Sequence, residues 1–163
     1  MAKADVLLSP PLANASGSLG FAPDLHGALD WGRFGAFFTN PVSLAPRRPA
    51  ATSDCLEFPG GFLLHSGYPN PGLRRVLEQY APAWGRSPLP VIVSLLPQSV
   101  AEVPRMLARL EGLPGVMGVE LWLPPGAGRE ALLELAQAAF GELALVLRLP
   151  VNEALELVGG ADG

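Results

Sequence analysis

Cysteine, histidine and charged residues are all scarce in this sequence. Its 163 residues include one cysteine, two histidines and a charged fraction of only 16%. The single thiol, Cys55, cannot close a disulfide within the chain, which favours a reducing, cytoplasmic location. Two histidines without H-E-x-x-H spacing, and one cysteine without C-x-x-C spacing, give no support to a metal site.

Basic stretches and long apolar segments are also lacking. The formal net charge is −4 and the arginines are scattered except for the pair Arg47 and Arg48, so nucleic acid is not an expected partner. The longest apolar runs, such as residues 143–147, have the length of a strand and fall far short of the ~20 residues that cross a bilayer. Asp5 stands where a signal peptide would begin its apolar core, which predicts neither secretion nor organelle import.

The sequence instead consists of short apolar segments separated by turns. Hydrophobic residues make up 49% of the chain, and 18 prolines and 19 glycines are dispersed between the apolar segments. A chain of this length is sufficient for one domain with a sizeable core. We therefore predict a single domain over residues 1–163 with many short turns.

The second half alternates between strand and helix patterns. Residues 91–96, V-I-V-S-L-L between two prolines, predict a fully buried strand. Ser99 and Glu102 then have the three-residue spacing of a capping box that opens a helix. The segments that follow are predicted as a strand at 116–123, a helix at 129–140 with Leu132, Leu133, Leu135, Ala136 and Phe140 inward, a strand at 143–149 and a short helix capped by Asn152.

The first half has weaker patterns. Strands are predicted at 12–15, 35–39 and 62–65 and a helix at 71–84, while residues 43–59 show no periodicity. His26 is assigned to an early helix, with its side chain toward solvent. Strands that alternate with helices indicate βαβ units and a parallel sheet covered by helices. Periodicity leaves two architectures open, a doubly wound sheet and a barrel.

Three stretches, taken together, resemble one family. Residues 11–17, P-L-A-N-A-S-G, residues 34–47, F-G-A-F-F-T-N-P-V-S-L-A-P-R, and residues 59–72, P-G-G-F-L-L-H-S-G-Y-P-N-P-G, are similar to motifs of the FMN-dependent dihydroorotate dehydrogenases, cytosolic class. Their order and spacing match as well. Weaker echoes at 120–122, 148–150 and 160–163 extend the resemblance to the end of the sequence.

The resemblance implies the N-terminal part of a (βα)8 barrel. A complete barrel needs eight strands and ~250 residues, whereas about five strand–helix units are predicted here. FMN is the implied cofactor, and weak binding is expected because the loops that hold its phosphate follow the last two strands, outside residues 1–163. An unpaired first strand and an unpaired strand at 143–149 predict self-association or a partner chain.

The resemblance also implies candidate site residues. The implied flavin contacts are Ala15, Ser16, Gly17, Asn40 and Arg148, the last in place of a lysine. Asn70 matches an asparagine on the substrate side of the family's N-P-G motif. His65 stands at the expected end of a strand, where barrel enzymes hold their sites, and is a candidate acid–base group toward a small-molecule substrate.

Each of these residues also has a structural alternative. The alternatives are a simple turn at Ser16-Gly17, helix initiation at Asn70, an ion pair of Arg148 with Glu120 or Glu142, and a satisfied strand-end histidine at His65. The sequence alone does not choose between the functional and the structural roles.

Three functional positions of the family are altered. The family's base is a cysteine in an N-x-S-C-P-N loop, and the corresponding residues 121–126, L-W-L-P-P-G, contain no group that can take a proton. A lysine near the flavin is replaced by Asn40, and a substrate-binding asparagine by Leu64. Cys55 falls outside the base loop and is expected to pack as a small apolar residue. No catalytic residue is therefore predicted.

Three functions remain open at this stage. The first is a dihydroorotate dehydrogenase-like flavoprotein of the pyrimidine-biosynthesis oxidoreductase lineage, whose family acts on CH–CH bonds and whose activity is brought into question here by the altered positions. The second is a non-catalytic binding or assembly partner of that lineage. The third is a repurposed site that uses His65, Asn70 and Arg148 for another flavin substrate or an anion. Whether the chain is an enzyme is left undecided.

Overall fold

A computed structural model describes residues 7–50, 55–122, 126–150 and 154. The elements, in chain order, are a 3-10 helix (Trp31–Arg33), β1 (Phe37–Phe38), β2 (Cys55–Phe58), β3 (Gly61–Leu64), α1 (Leu73–Trp84), β4 (Val91–Leu95), α2 (Glu102–Leu107), β5 (Val116–Trp122), α3 (Gly128–Ala138) and β6 (Ala144–Arg148). Among these described helices, none has both the length and the apolar character to cross a bilayer.

Four strands form a parallel sheet in the order β1-β4-β5-β6. A parallel bridge between Ala13 and Ala36 adds a fifth strand position beside β1. Five parallel positions connected through α1, α2 and α3 confirm the predicted partial barrel. Both strands predicted in this region are shorter than expected. The strand predicted at 12–15 is a single bridge at Ala13, and the strand predicted at 35–39 has the two residues of β1.

The two faces of the sheet have different environments. Val91, Val93 and Leu95 of β4 join the large core under the helices, which also contains the fully buried Trp84. Ile92 points to the other face, where it packs with a small second cluster that includes Ala36 and Phe38. Because side chains alternate along a strand, this second face is the interior of the partial barrel.

The helices follow the predicted segments, but two details of the prediction are wrong. Only Leu132, Leu135 and Ala139 of the α3 region are buried, whereas Leu133 is 51% and Phe140 72% exposed. The face of α3 that is buried in the core is therefore narrower than the apolar pattern of its sequence predicted. The capping box is also absent, because the Glu102 carboxylate accepts from the Gln98 N–H and Ala101 is the N-cap.

Strands β2 and β3 form an antiparallel hairpin outside the parallel sheet. The prediction of a barrel strand at 62–65 is wrong, and the segment 43–59, which shows no periodicity, contains β2. Gly60, with φ 97°, allows the tight turn that joins the two strands. All residues of both strands are exposed, so Cys55 does not pack as predicted.

Two predicted segments lie outside the described residues. They are the short helix capped by Asn152 and residues 123–125 of the loop that corresponds to the family's base loop.

Candidate functional site

The candidate site lies where the parallel strands end. Ser16 follows the Ala13 bridge, Asn40 follows β1, and Trp122 and Arg148 are the last residues of β5 and β6. In parallel α/β sheets and barrels, ligands bind at this carboxyl edge. The fold therefore brings together residues that are far apart in sequence.

Arg148 connects the two ends of the partial barrel. Its Nη1 donates a hydrogen bond of 2.6 Å to the Ser16 Oγ. Its guanidinium lies over the Trp122 ring, with Cζ 3.9 Å from the ring centroid. Trp122 and Arg148 are register partners on adjacent strands, so both side chains project from the same face. Among the described residues, no ion pair of Arg148 with Glu120 or Glu142 is found.

A buried polar group lies below this pair. Glu120 is 7% exposed, and its Oε2 accepts a hydrogen bond of 2.6 Å from the Ser94 Oγ and one of 3.2 Å from the Trp122 Nε1. These two donors compensate the carboxylate for the loss of water. In the sequence, Glu120 was noted as part of an echo of the family and as a possible ion-pair partner of Arg148, but neither its hydrogen bonds nor Ser94 were predicted. The available signal was a polar residue within each of two buried strands.

Asn40 is anchored and still has donors to offer. Its backbone N–H donates to the Gly20 carbonyl at 2.7 Å, and its Oδ1 accepts from the Gly20 N–H at 3.1 Å. Within the described part of the chain, the side-chain nitrogen Nδ2 of Asn40 has no hydrogen-bond partner. Asn40 borders a cavity of about 280 Å³, which is lined by Gly17, Asn40, Pro41, Ser66, Tyr68 and Pro69.

Asn70 is committed to internal hydrogen bonds. Its Oδ1 accepts from the Ser43 N–H (3.2 Å), the Ser43 Oγ (3.1 Å) and the Gly72 N–H (3.0 Å), and its Nδ2 donates to the Tyr68 carbonyl (3.0 Å). The residue is 6% exposed. An asparagine amide has two N–H donors, so at most one remains for a ligand. This network fixes the chain just before α1.

The remaining candidate residues are Ala15, Gly17 and His65, and His26 was the other histidine considered. The Ala15 carbonyl closes a turn by accepting from the Ser18 N–H, and Gly17 has a left-handed φ of 88°. His65 is exposed after β3 and is not among the residues that line the cavity. Its predicted place at the end of a barrel strand is wrong, because β3 pairs with β2. His26 is exposed as predicted, but it lies in a turn and not in a helix.

The arrangement is suited to binding a planar ligand that has hydrogen-bond acceptors. It offers the amide N–H groups of Asn40, the hydroxyl of Ser16 and the positive charge of Arg148, beside the aromatic rings of Tyr68 and Trp122. No group of three or more metal-ligating side chains is found in the described ranges. The residues that line the cavity include no histidine, cysteine or carboxylate.

Comparison with known proteins shows to which family the sequence is similar. The family model for dihydroorotate dehydrogenase matches residues 4–144. The catalytic subunit of dihydroorotate dehydrogenase B (NAD(+)) from Desulforudis audaxviator is 33% identical over 121 residues, which are 74% of this chain and 39% of the relative. The same subunit from a Geobacter species is 34% identical over 74% of this chain and 40% of its own length. That of Pelobacter propionicus is 32% identical over 70% of this chain and 38% of the relative. The sequence thus spans about two fifths of these relatives.

Proposed function

Because the chain belongs to the dihydroorotate dehydrogenase family, we propose that it binds the isoalloxazine ring of FMN and does not by itself oxidise dihydroorotate. The observation that carries this proposal is the hydrogen bond between Arg148 and Ser16 at the carboxyl edge of the sheet, next to the unused amide donors of Asn40. These are three of the five residues for which the family resemblance implies flavin contacts.

The chemistry of these groups fits a flavin ring. The ring has carbonyl and nitrogen acceptors, which the amide N–H groups of Asn40 and the guanidinium of Arg148 would satisfy. A fixed positive charge would favour additional electron density on the ring. Bound FMN would supply hydride acceptance, while the chain's own residues would bind and orient it.

The chain's residues argue against turnover of dihydroorotate. Residues 121–126 contain no group that can abstract a proton, and Asn40 carries no charge. Leu64, at the position of a substrate-binding asparagine, lies on the exposed hairpin and offers no hydrogen bond. Without a base and without polar substrate contacts, hydride transfer from dihydroorotate has no support from this site.

The first prediction tests both halves of the proposal. We expect a titration of the purified chain with FMN to quench flavin fluorescence in a saturable way, and we expect Arg148→Ala to weaken that binding about tenfold, since a hydrogen bond to a charged group contributes ~1.5–3 kcal/mol. We expect no dihydroorotate-dependent reduction of a dye acceptor by the FMN-loaded chain.

The matched control for that titration is Arg109→Ala, which removes an exposed arginine between α2 and β5, before the start of the strand and thus at the edge of the sheet opposite the proposed contacts. Equal FMN affinity of the wild type and Arg148→Ala would contradict the assigned contact. Dye reduction above the no-protein control, lost on substitution within residues 16–70, would contradict the absence of turnover.

A second candidate function is that of a non-catalytic binding or assembly partner, in the cytoplasm. The specific observation in its favour is the β2–β3 hairpin, whose large apolar side chains are all exposed: Leu56, Phe58, Phe62, Leu63 and Leu64. A two-stranded hairpin is marginally stable on its own in water, and exposed apolar patches mark interaction sites. The relatives reported above are described as catalytic subunits.

The second prediction concerns association with itself or with another chain. In the described residues β6 pairs only with β5, so its other edge is open to a further strand. Light scattering of the pure chain should report a mass above 17.1 kDa. Leu147→Lys, at this edge, should move the mass toward the monomer or make the chain insoluble.

Leu133→Lys on the exposed face of α3 is the control, because it adds the same charge without touching the sheet edge. A monomeric wild type, together with a Leu147→Lys variant that keeps its mass and melting temperature, would count against association.

A further inference from the structure

At the carboxyl edge, Trp122 contacts two other segments of the chain, through Tyr68 and Arg148, and also Glu120 of its own strand. The Trp122 cluster consists of Ser16, Tyr68, Glu120, Trp122 and Arg148. In addition to the contacts of Arg148 and Glu120 given above, the Tyr68 ring meets the Trp122 ring edge-on, with centroids 4.7 Å apart and planes at 81°. The indole is therefore held by a cation over its ring, an aromatic neighbour and a hydrogen bond from its N–H to the buried Glu120.

The backbone around Tyr68 fixes the position of its ring. Tyr68 has φ 51°, a left-handed conformation that bulky residues rarely adopt. Its N–H donates to the Ser66 Oγ at 3.2 Å. The preceding Gly67 packs so tightly that a Cβ on it would lie 2.8 Å from the backbone nitrogen of Ala50. The surrounding chain thus holds Tyr68 where it meets Trp122.

The Trp122 cluster also borders the cavity. Tyr68 lines the cavity and contacts Trp122. Ser16, which accepts from Arg148, directly precedes Gly17, another residue of the cavity lining. The cavity volume of about 280 Å³ is just below the range of ~300–1,000 Å³ that is usual for small-molecule sites. The cavity is therefore at the small end for a small-molecule site, and Tyr68 is the residue that it shares with the Trp122 cluster.

We infer that Trp122 determines the size of ligand that this site accepts. In the free protein the indole occupies the space between Tyr68 and Arg148, and a planar tricyclic ring can lie across the strand ends only when the indole has moved away. This inference rests on the proposed ring-binding function and goes beyond it, because it assigns the size limit to one residue. Glu120 is the positioning residue that holds the indole through its N–H.

The energetic consequence is a lower affinity for a tricyclic ring. Moving the indole breaks its contact with the guanidinium and its hydrogen bond to Glu120. This free-energy cost reduces the net binding free energy of the ligand. The two contacts together correspond to a factor on the order of ten in the dissociation constant. Removing the indole should therefore strengthen ring binding, although an aromatic surface is lost.

The third prediction is tested with lumiflavin, which has the flavin ring but neither ribityl chain nor phosphate. Trp122→Ala should bind lumiflavin about tenfold more tightly than the wild type, measured by quenching of flavin fluorescence. Trp122→Phe should fall between the two. Phe140→Ala is the matched control, because it removes an exposed aromatic ring from the end of α3 and should leave the affinity unchanged. Circular dichroism melting verifies that each variant is folded.

A second measurement, without ligand, tests the Trp122 cluster itself. The indole N–H signal of Trp122 in a ¹⁵N spectrum is identified by its loss in Trp122→Phe. Glu120→Ala and Arg148→Ala should each shift this signal and speed its exchange with solvent, whereas Glu120→Gln, which keeps an acceptor oxygen, should restore slow exchange.

The outcomes distinguish the proposed ring binding from the proposed role of Trp122 as a size limit. If lumiflavin binds neither the wild type nor Trp122→Ala, ring binding itself is wrong, and the size limit falls with it. If both bind lumiflavin equally, or Trp122→Ala binds it more weakly, only the role of Trp122 is overturned, and the indole then serves as a stacking surface. An indole signal that is unaffected by Glu120→Ala and Arg148→Ala would also overturn the inference.

Discussion

Replacing Asn70 by alanine should lower the free energy of unfolding by about 3 kcal/mol, because it leaves two buried donors without an acceptor and each such group costs ~1–3 kcal/mol. The two donors are the N–H groups of Ser43 and Gly72, both bound to the Asn70 Oδ1, whereas the Ser43 hydroxyl keeps its hydrogen bond to the Ala45 carbonyl at 2.7 Å. For a chain of this length, that loss corresponds to a melting temperature roughly 6–12 °C lower. Circular dichroism melting measures it directly.

Asn70→Asp is the informative control. A carboxylate keeps an acceptor for the N–H groups of Ser43 and Gly72 but loses the N–H that donates to the Tyr68 carbonyl. We expect its melting temperature to lie between those of the wild type and Asn70→Ala. If Asn70→Ala melts within about 2 °C of the wild type and weakens only ligand binding, the internal network is not the main role of Asn70, and the substrate-side assignment gains support.

The parallel sheet was largely predictable from sequence, because its central strands carry a strong signal. The β4 segment is a β-branched run between prolines, and all five of its residues are buried. A strand buried on both faces is apolar at nearly every position, here at all but Ser94, so composition alone identifies it. The edge positions around Ala13 and β1 were predicted too long, since their few ladder contacts leave the backbone free to turn after one or two residues.

The β2–β3 hairpin was not predictable by the same reasoning. Most of its residues are apolar, which led to an interpretation of residues 62–65 as a core strand, yet every residue of both strands is exposed. Apolar composition indicates a surface that could be buried, but the sequence does not say against what. The position of His65 was misjudged for this reason, because a histidine that follows an exposed hairpin strand does not stand at the end of a barrel strand.

The candidate site was predictable in part. The resemblance to the family pointed to Ser16 and Arg148, which are 132 residues apart in sequence and share a hydrogen bond of 2.6 Å. The contacts of Trp122 were not foreseen, because the motif comparison identified that position only as part of a weak echo of the family and of a segment that lacks the family's base. The contact between Trp122 and Arg148 depends on the register of β5 against β6. The sequence of either strand taken alone does not determine that register.

The two ends of the strands serve different purposes. The carboxyl edge carries the polar residues and the cavity, whereas the amino edge carries close backbone packing. Gly115 precedes β5 at this amino edge, and its carbonyl accepts from the Val91 N–H at the start of β4 at 2.8 Å. Since β5 has seven residues that advance ~3.3 Å each, a change at Gly115 acts on stability well away from Trp122.

Gly115→Ala should accordingly destabilise the chain by about 4 kcal/mol or more, an effect of the size reserved for severe steric or burial defects. Gly115 has φ 83°, and a Cβ there would overlap the Trp84 carbonyl oxygen and lie 2.6 Å from the carbonyl carbon. Removing this overlap requires the end of α1 to move, which breaks the hydrogen bond from the Ser87 N–H to the Trp84 carbonyl.

Gly112→Ala is the matched control, because Gly112 has φ 76° with nothing within 4 Å of an added Cβ. Only the left-handed backbone cost of ~1–2 kcal/mol applies there. Urea denaturation should separate the two variants by at least about 2 kcal/mol, and equal losses would mean that the packing of Gly115 against Trp84 does not limit stability.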